Sequence, residues 1–408
     1  MRKTAKIQRR RESLAMSDNF DRTNEKVAAE AMPAARKEKT KREPLFHITK
    51  RGQLPVAKAI GIRAAAIILA LIVGGIVSVF VTGKNPIDIY VSIFNGAFGN
   101  ADRTWITFQE IAVLLGISLA VTPAFRMRFW NTGAEGQVLI GCLATAACML
   151  WIGGSVPGWL LIVIMLGASI AAGMLWGLLP AFFKAFWGTN ETLFTLMMNY
   201  VAIQLVESFL KIADKSGSNT VGPTILVHGW VPNLFGVQYL LNIVIVAALC
   251  ALMYIYLKKT KQGYEISVVG ESENTARYVG INVKKVIIRT MAISGAICGL
   301  IGFLLVGATS HSIDADLVSG RGFTAIMVSW LAKFNPIVMV LTSFLLVFLD
   351  LGAGEMSSAL GLNKSYGEIL TGIILFFIIG CEFFVQYKIN VNKNHKLFAK
   401  KSEGEVLE

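Results

Sequence analysis

Charge is what this sequence has least of. Of its 408 residues only 16% are Asp, Glu, Lys or Arg, while 54% are hydrophobic, and the mean hydropathy is +0.58. Soluble globular domains carry about 25% charged residues, so the composition excludes a soluble domain with an anchor and leaves a polytopic membrane protein. The five cysteines (Cys142, Cys148, Cys250, Cys298, Cys381) fall in apolar runs without a CxxC or Cys/His pattern. They read as small core residues, not as disulfides or metal ligands. No GxxxxGK(S/T) phosphate loop occurs, so the chain cannot bind and hydrolyse ATP in the usual way. His311, Asp314 and Asp316 sit close together but lack a fourth ligand, so no metal is expected. No cofactor is expected in this chain, and no catalytic cluster supports an integral-membrane enzyme.

The charge that is present is unevenly placed. The formal net charge is +13, and residues 1–58 hold 16 Lys/Arg against 7 Asp/Glu. A basic tail beside a first span is the usual mark of a cytoplasmic end and not of a nucleic-acid binder. Residues 1–45 lack apolar periodicity and are expected to be disordered or loosely helical. A polar stretch this long before the first apolar run is not a secretory signal. Residues 1–58 therefore read as a disordered cytoplasmic tail, 59–387 as the transmembrane domain and 388–408 as a cytoplasmic C-terminal tail.

Apolar runs predict ten spans, at 59–82, 105–125, 137–152, 158–179, 192–210, 238–257, 286–307, 321–334, 336–353 and 367–387. The eighth is barely long enough, and a run that short could be re-entrant. With the N-terminus inside, Arg126, Arg128, Lys184, the 258–285 loop and Lys333 all fall on the cytoplasmic side. Fewer basic residues remain for the external loops, the longest of which is 211–238. The bias follows the positive-inside rule with both termini cytoplasmic. The expected fold is thus all-α, with about ten transmembrane helices in two inverted five-helix halves.

Within these runs one stretch is out of place. Asn131-Thr-Gly-Ala-Glu-Gly-Gln-Val-Leu-Ile-Gly141 puts polar side chains and three glycines at the mouth of an apolar run. An ionisable group at mid-bilayer costs about 3 kcal/mol on insertion scales. Such a stretch must be surrounded by protein or by a water-filled path. Ser319-Gly-Arg-Gly-Phe-Thr-Ala325 opens the eighth run in the same way. Gly-interrupted segments at matching places in two halves point to a transport path between them. The expected lining is Asn131, Glu135, Gln137, Asn190, Glu191 and Asn199, with Arg321 and Phe323 from the second stretch. The alternative for these polar groups is hydrogen bonding across helices as structural glue. In the cytoplasmic loop, Ser272 as N-cap, Glu273 in the first turn and Gly280 as terminator predict a short helix. It would present Ala276, Tyr278 and Val279 among polar residues.

These motifs together resemble the permease subunits of ABC importers of the branched-chain amino acid, ribose and nucleoside type. Asn131–Gln137 is similar to the Asn-x-Gly-x-Glu-Gly-Gln signature of the nucleoside branch. Gly188–Tyr200, Val269–Ile281 and Gly320–Pro336 resemble three more of its segments, in order. Ser329-Trp330 and Ala332-Lys333 depart from small or aliphatic residues of that last segment. The resemblance implies a permease without its own chemistry, which carries nucleosides or a related sugar-like solute. It implies cytoplasmic ATPase subunits, a second permease and an extracytoplasmic substrate-binding lipoprotein as partners, beside membrane lipid and with no nucleic acid. The ATPase would dock on Glu271, Ser272, Ala276, Arg277, Tyr278 and Gly280. The lipoprotein would dock on the external loop around Trp230. Competing readings are a permease for ribose or other simple sugars, or a secondary transporter coupling ions through Glu135 or Glu191.

Overall fold

The computed structural model describes residues 46–50, 55–213, 224–237 and 239–391. The expected disorder of residues 1–45, and most of the C-terminal tail from 392, lie outside the described residues. Two compact units emerge: Ile60–Glu382, and the two chain ends together. In the second unit Phe46–Lys50 pairs antiparallel with Tyr387–Val391, Phe46 opposite Val391. That corrects the reading of residues 1–58 as wholly disordered. The stretch Phe-His-Ile-Thr-Lys alternates large and polar side chains, as a strand does.

Thirteen helices follow in the described residues: α1 (Val56–Thr82), α2 (Pro86–Phe98), α3 (Ala101–Arg126), α4 (Ala134–Trp151), α5 (Gly158–Trp187), α6 (Glu191–Ala213), α7 (Leu240–Lys259), α8 (Lys261–Glu271), α9 (Glu273–Tyr278), α10 (Val283–Leu304), α11 (Arg321–Leu331), α12 (Pro336–Leu360) and α13 (Lys364–Gln386). Nine of them (α1, α3 to α7, α10, α12 and α13) are long and apolar enough to cross a membrane. The chain is an all-α polytopic membrane protein.

The eighth expected span takes a different form. Helix α11 has eleven residues, about 16 Å at 1.5 Å per residue, roughly half a bilayer core. Ser319 and Gly320 both adopt left-handed backbone angles just before it, and Lys333 and Phe334 do so just after. The chain is therefore turned sharply at both ends, and Asn335 caps α12 by accepting from the Ile337 amide at 3.3 Å.

Helices α3 and α10 form the centre: 89% and 72% of their most apolar windows are buried, against 22% for α1. Helix α3 packs on α11 and α12, while α10 packs on α4 and α5. Each central helix thus packs against the other half's third and fourth spans. Two related halves give this exchange when they interlock. Close approach of α5 to α10 rests on small residues, Ser169, Gly173 and Gly177 facing Gly295 and Gly299. A Cβ on Gly299 would collide with the Ser169 carbonyl. Helix α2 was not anticipated as an element. Asn85 caps it, Pro86 starts it, and Ile89, Ile93 and Ala97 bury one face of it.

Candidate functional site

The two glycine-rich stretches meet in direct contact. Gly133 precedes α4, and Glu135 in its first turn reaches across to the start of α11. One carboxylate oxygen accepts from the Gly320 amide at 2.8 Å, the other from the Gly322 amide at 2.6 Å. A helix N-terminus leaves such amides without intrahelical partners, and Glu135 supplies an acceptor from the opposite half. Glycine is needed at 322 because a Cβ there would strike the Glu135 backbone. The neighbouring Arg321 guanidinium pairs with Glu110 of α3 at 2.7 Å. Glu110 escaped the sequence reading. An acidic residue one-third of the way along an apolar span was its only signal.

The other expected lining groups are also committed. Asn131 and Gln137 exchange amide hydrogen bonds of 3.4 and 3.2 Å, and Asn131 also donates to Ser294 of α10 at 3.3 Å. Asn199 accepts from the Gly136 amide and donates to the Thr132 carbonyl, both at 2.9 Å. These bonds fasten α6 to the start of α4. Asn190 caps α6 through the Leu193 amide at 3.2 Å, and Glu191 pairs with Lys184 at 2.7 Å. Among the eight, Phe323 alone offers an exposed side chain without polar commitments. A second buried polar cluster went unnoticed in the sequence. Gln109 donates to Thr309 at 2.7 Å, and Asn242 donates to Gln109 at 3.1 Å.

What faces outward instead lies on α6. Its inner face buries Thr195, Asn199, Ala202, Val206 and Phe209. On the opposite face Tyr200, Gln204, Ser208 and Lys211 are exposed and Glu207 is half-buried. Their spacing of three and four residues makes one stripe, about 16 Å long at helical rise. Among the described residues the side chains of Tyr200, Gln204, Glu207 and Lys211 have no hydrogen-bond or ion-pair partner. Lipid tolerates such a stripe poorly, so water or another polypeptide must cover it. Helix α1, by contrast, exposes Ile68, Ile72, Phe80 and Val81, as a lipid-facing helix does.

At one end of the bundle, α8 and α9 form a lateral elbow. Ser272 caps α9 by accepting from the Thr275 amide at 3.2 Å, and Gly280 turns the chain with φ +80°. That matches the expected short helix. Helix α8 was missed, because Gly263 and Gly270 obscure it. Both are needed for contact, since a side chain at 270 would meet the Arg126 carbonyl. The expected docking residues Glu271, Arg277, Tyr278 and Gly280 are exposed, Tyr278 to 93%, and Ser272 is half-buried. Ala276 requires correction. It is fully buried with Met127, Ile266 and Ile287 and is not presented to a partner.

At the other end the loop between α6 and α7 is clipped down. Thr224–Ile225 pairs with Ser312–Ile313, and Trp230 stacks on His311 with ring centroids 4.1 Å apart and planes 12° from parallel. Burial holds the His311 imidazole below its ordinary value of 6.5. Residues 214–223 of the same loop lie outside the described residues. Among the described residues no group of three His, Cys, Asp or Glu side chains could hold a metal ion.

A family of permeases described as branched-chain amino acid transport system / permease component matches residues 104–379. The chain belongs to this family. It is a multi-pass membrane permease subunit of an ABC transporter. Similar proteins include the guanosine ABC transporter permease protein NupP of Bacillus subtilis, 30% identical over 77% of this chain and 91% of the relative. The glucose ABC transporter permease protein TsgB13 of Haloferax volcanii is 27% identical over 85% of this chain and 94% of its own. The nucleoside ABC transporter permease protein NupB of Lactococcus lactis is 27% identical over 77% and 88%. As subunits of this class do, the permease depends on the other components of an ABC system.

Proposed function

We propose that this permease carries nucleosides inward, and that the solute passes along the exposed polar face of α6, not between the two glycine-rich stretches. The observation that carries the reading is the stripe from Tyr200 to Lys211, an unpartnered polar surface on a membrane-spanning helix. A second permease subunit facing this stripe would enclose a wet path. Tyr, Gln, Glu and Lys side chains there offer donors and acceptors for ribose hydroxyls and base edges. The crossing of Glu135 with α11 then acts as the brace that holds this wall in shape. Both termini lie in the cytoplasm in this reading, as the positive-inside bias suggests. The cytoplasmic ATPase engages the exposed Arg277, Tyr278 and Val279 at the elbow. An extracytoplasmic binding lipoprotein delivers solute above the Trp230–His311 clip.

Nucleosides are preferred over sugars because two of the relatives named above carry guanosine or nucleoside in their names, although one carries glucose. Uptake of radiolabelled guanosine and of glucose, measured in cells with and without this chain, separates the two. Loss of guanosine uptake alone in the deletion supports the reading. Loss of glucose uptake alone, or of neither, overturns it.

A further inference from the structure

The elbow end of the bundle contains a cavity of about 490 Å³, walled by α3, α8, α11 and the connector before α4. That size lies within the range of small-molecule sites, about 300–1,000 Å³. Four aromatic rings meet in its wall. Trp130 and Trp330 stack at 5.5 Å with planes 25° apart, Phe125 sets its edge against both, and Phe334 lies edge-on to Trp330. The two indoles are 46% and 47% exposed. Arg126, Arg128, Ser267 and Glu271 complete the lining.

Aromatic residues at the ends of spans ordinarily anchor a protein in the headgroup layer. This cluster differs in two respects. Its rings line a cavity whose opposite wall is the polar side of the elbow, and two arginines and a carboxylate share that cavity. A half-open slot of this kind suits a ligand with a flat π-face and polar edges. The carrier of Trp330, α11, is the half-helix held by Glu135, and Ser267 and Glu271 belong to α8, next to the proposed ATPase contact. The slot thus lies between the C-terminal end of α11 and the elbow.

We infer that this cavity is an exit site where the base of an imported nucleoside stacks on the Trp130–Trp330 pair before release, with Arg128 and Glu271 in reach of its polar edge. The inference rests on the nucleoside reading and adds to it a site that discriminates by the base. Stacking on an aromatic side chain contributes about 1–3 kcal/mol per base, so loss of one indole is expected to weaken binding about tenfold.

The test uses the full chain in lipid nanodiscs, with equilibrium binding of radiolabelled guanosine and of ribose, beside guanosine uptake in cells. Wild type should bind guanosine well above ribose. Trp330→Leu should weaken guanosine binding about tenfold, and Trp330→Phe should restore most of it. If Trp330→Leu fails to fold, Trp130→Phe with Trp330→Phe keeps a smaller aromatic face at each position and should show a smaller loss of the same kind. Guanosine binding unchanged in Trp330→Leu, or ribose binding reduced equally, overturns the site. Guanosine uptake independent of the whole chain overturns the nucleoside reading itself, whatever the nanodiscs show.

Discussion

Glu135 illustrates how a single side chain can be functional in appearance and structural in effect. An acidic group in an apolar run must find partners, and it finds two backbone amides of α11. Removing the carboxylate leaves two donors unsatisfied, each worth about 1–3 kcal/mol when buried. Glu135→Ala is therefore expected to lower the thermal midpoint of the detergent-solubilised permease by the equivalent of about 2–4 kcal/mol, and Glu135→Gln by less. An unchanged midpoint would show that the brace is dispensable. Arg321 and Glu110 behave as a pair at 2.7 Å. The two side chains are 28% and 20% exposed, so breaking the pair from one side costs less than the about 3–5 kcal/mol of a fully buried pair. Arg321→Leu and Glu110→Leu should each destabilise more than the double variant, and additive losses in the thermal-unfolding cycle would contradict the pairing. The opposite behaviour is expected at Gln204, which is exposed and unpartnered: Gln204→Leu should reduce uptake severalfold and leave the midpoint unchanged.

At the scale of elements, the sequence was most legible where composition alone decides. Long apolar runs became spans, and Ser272 with Gly280 bounded α9 as capping chemistry requires. It was least legible where a neighbour decides. The start of the eighth run is held by Glu135, 185 positions from Gly320, and its end is set by the left-handed turn at Lys333 and Phe334. Ala276 looked presentable in a polar loop, but α8 folds its face against α3 and α10. The elbow therefore works through its exposed tip. Tyr278→Asp should impair coupling of ATP hydrolysis to uptake with stability unchanged, measured on the reconstituted importer, and intact coupling would remove α9 from the contact. The clip at the other end carries a pH dependence. The His311 imidazole is held neutral by burial, so the unfolded loop binds its proton more readily than the folded one. Stability of the clip is full above about pH 6.5 and falls as pH drops below it. Protection of residues 224–231 against hydrogen exchange, taken relative to the intrinsic rate at each pH, should fall on acidification, and His311→Gln should abolish the change.

For the whole molecule, burial sorts the polar groups into two classes that composition cannot distinguish. The glycine-rich stretches drew attention because lipid forbids them, and the structure satisfies them internally, with bonds such as Asn131 to Ser294 and Asn199 to Thr132. The α6 stripe attracted none, because Tyr200, Gln204, Glu207 and Lys211 are scattered singly among apolar residues. Only the folded helix aligns them on one exposed face. In the proposed function this face, and not the contact at Glu135, borders the route. The most direct measurement places one cysteine at Gln204 or at Glu135, in a chain whose five native cysteines are replaced, and treats the assembled importer with a charged, membrane-impermeant thiol reagent. The Gln204→Cys variant is expected to react, to be protected by solute and to lose uptake on modification, while the Glu135→Cys variant stays unreactive. Reaction at 135 with none at 204 would contradict it.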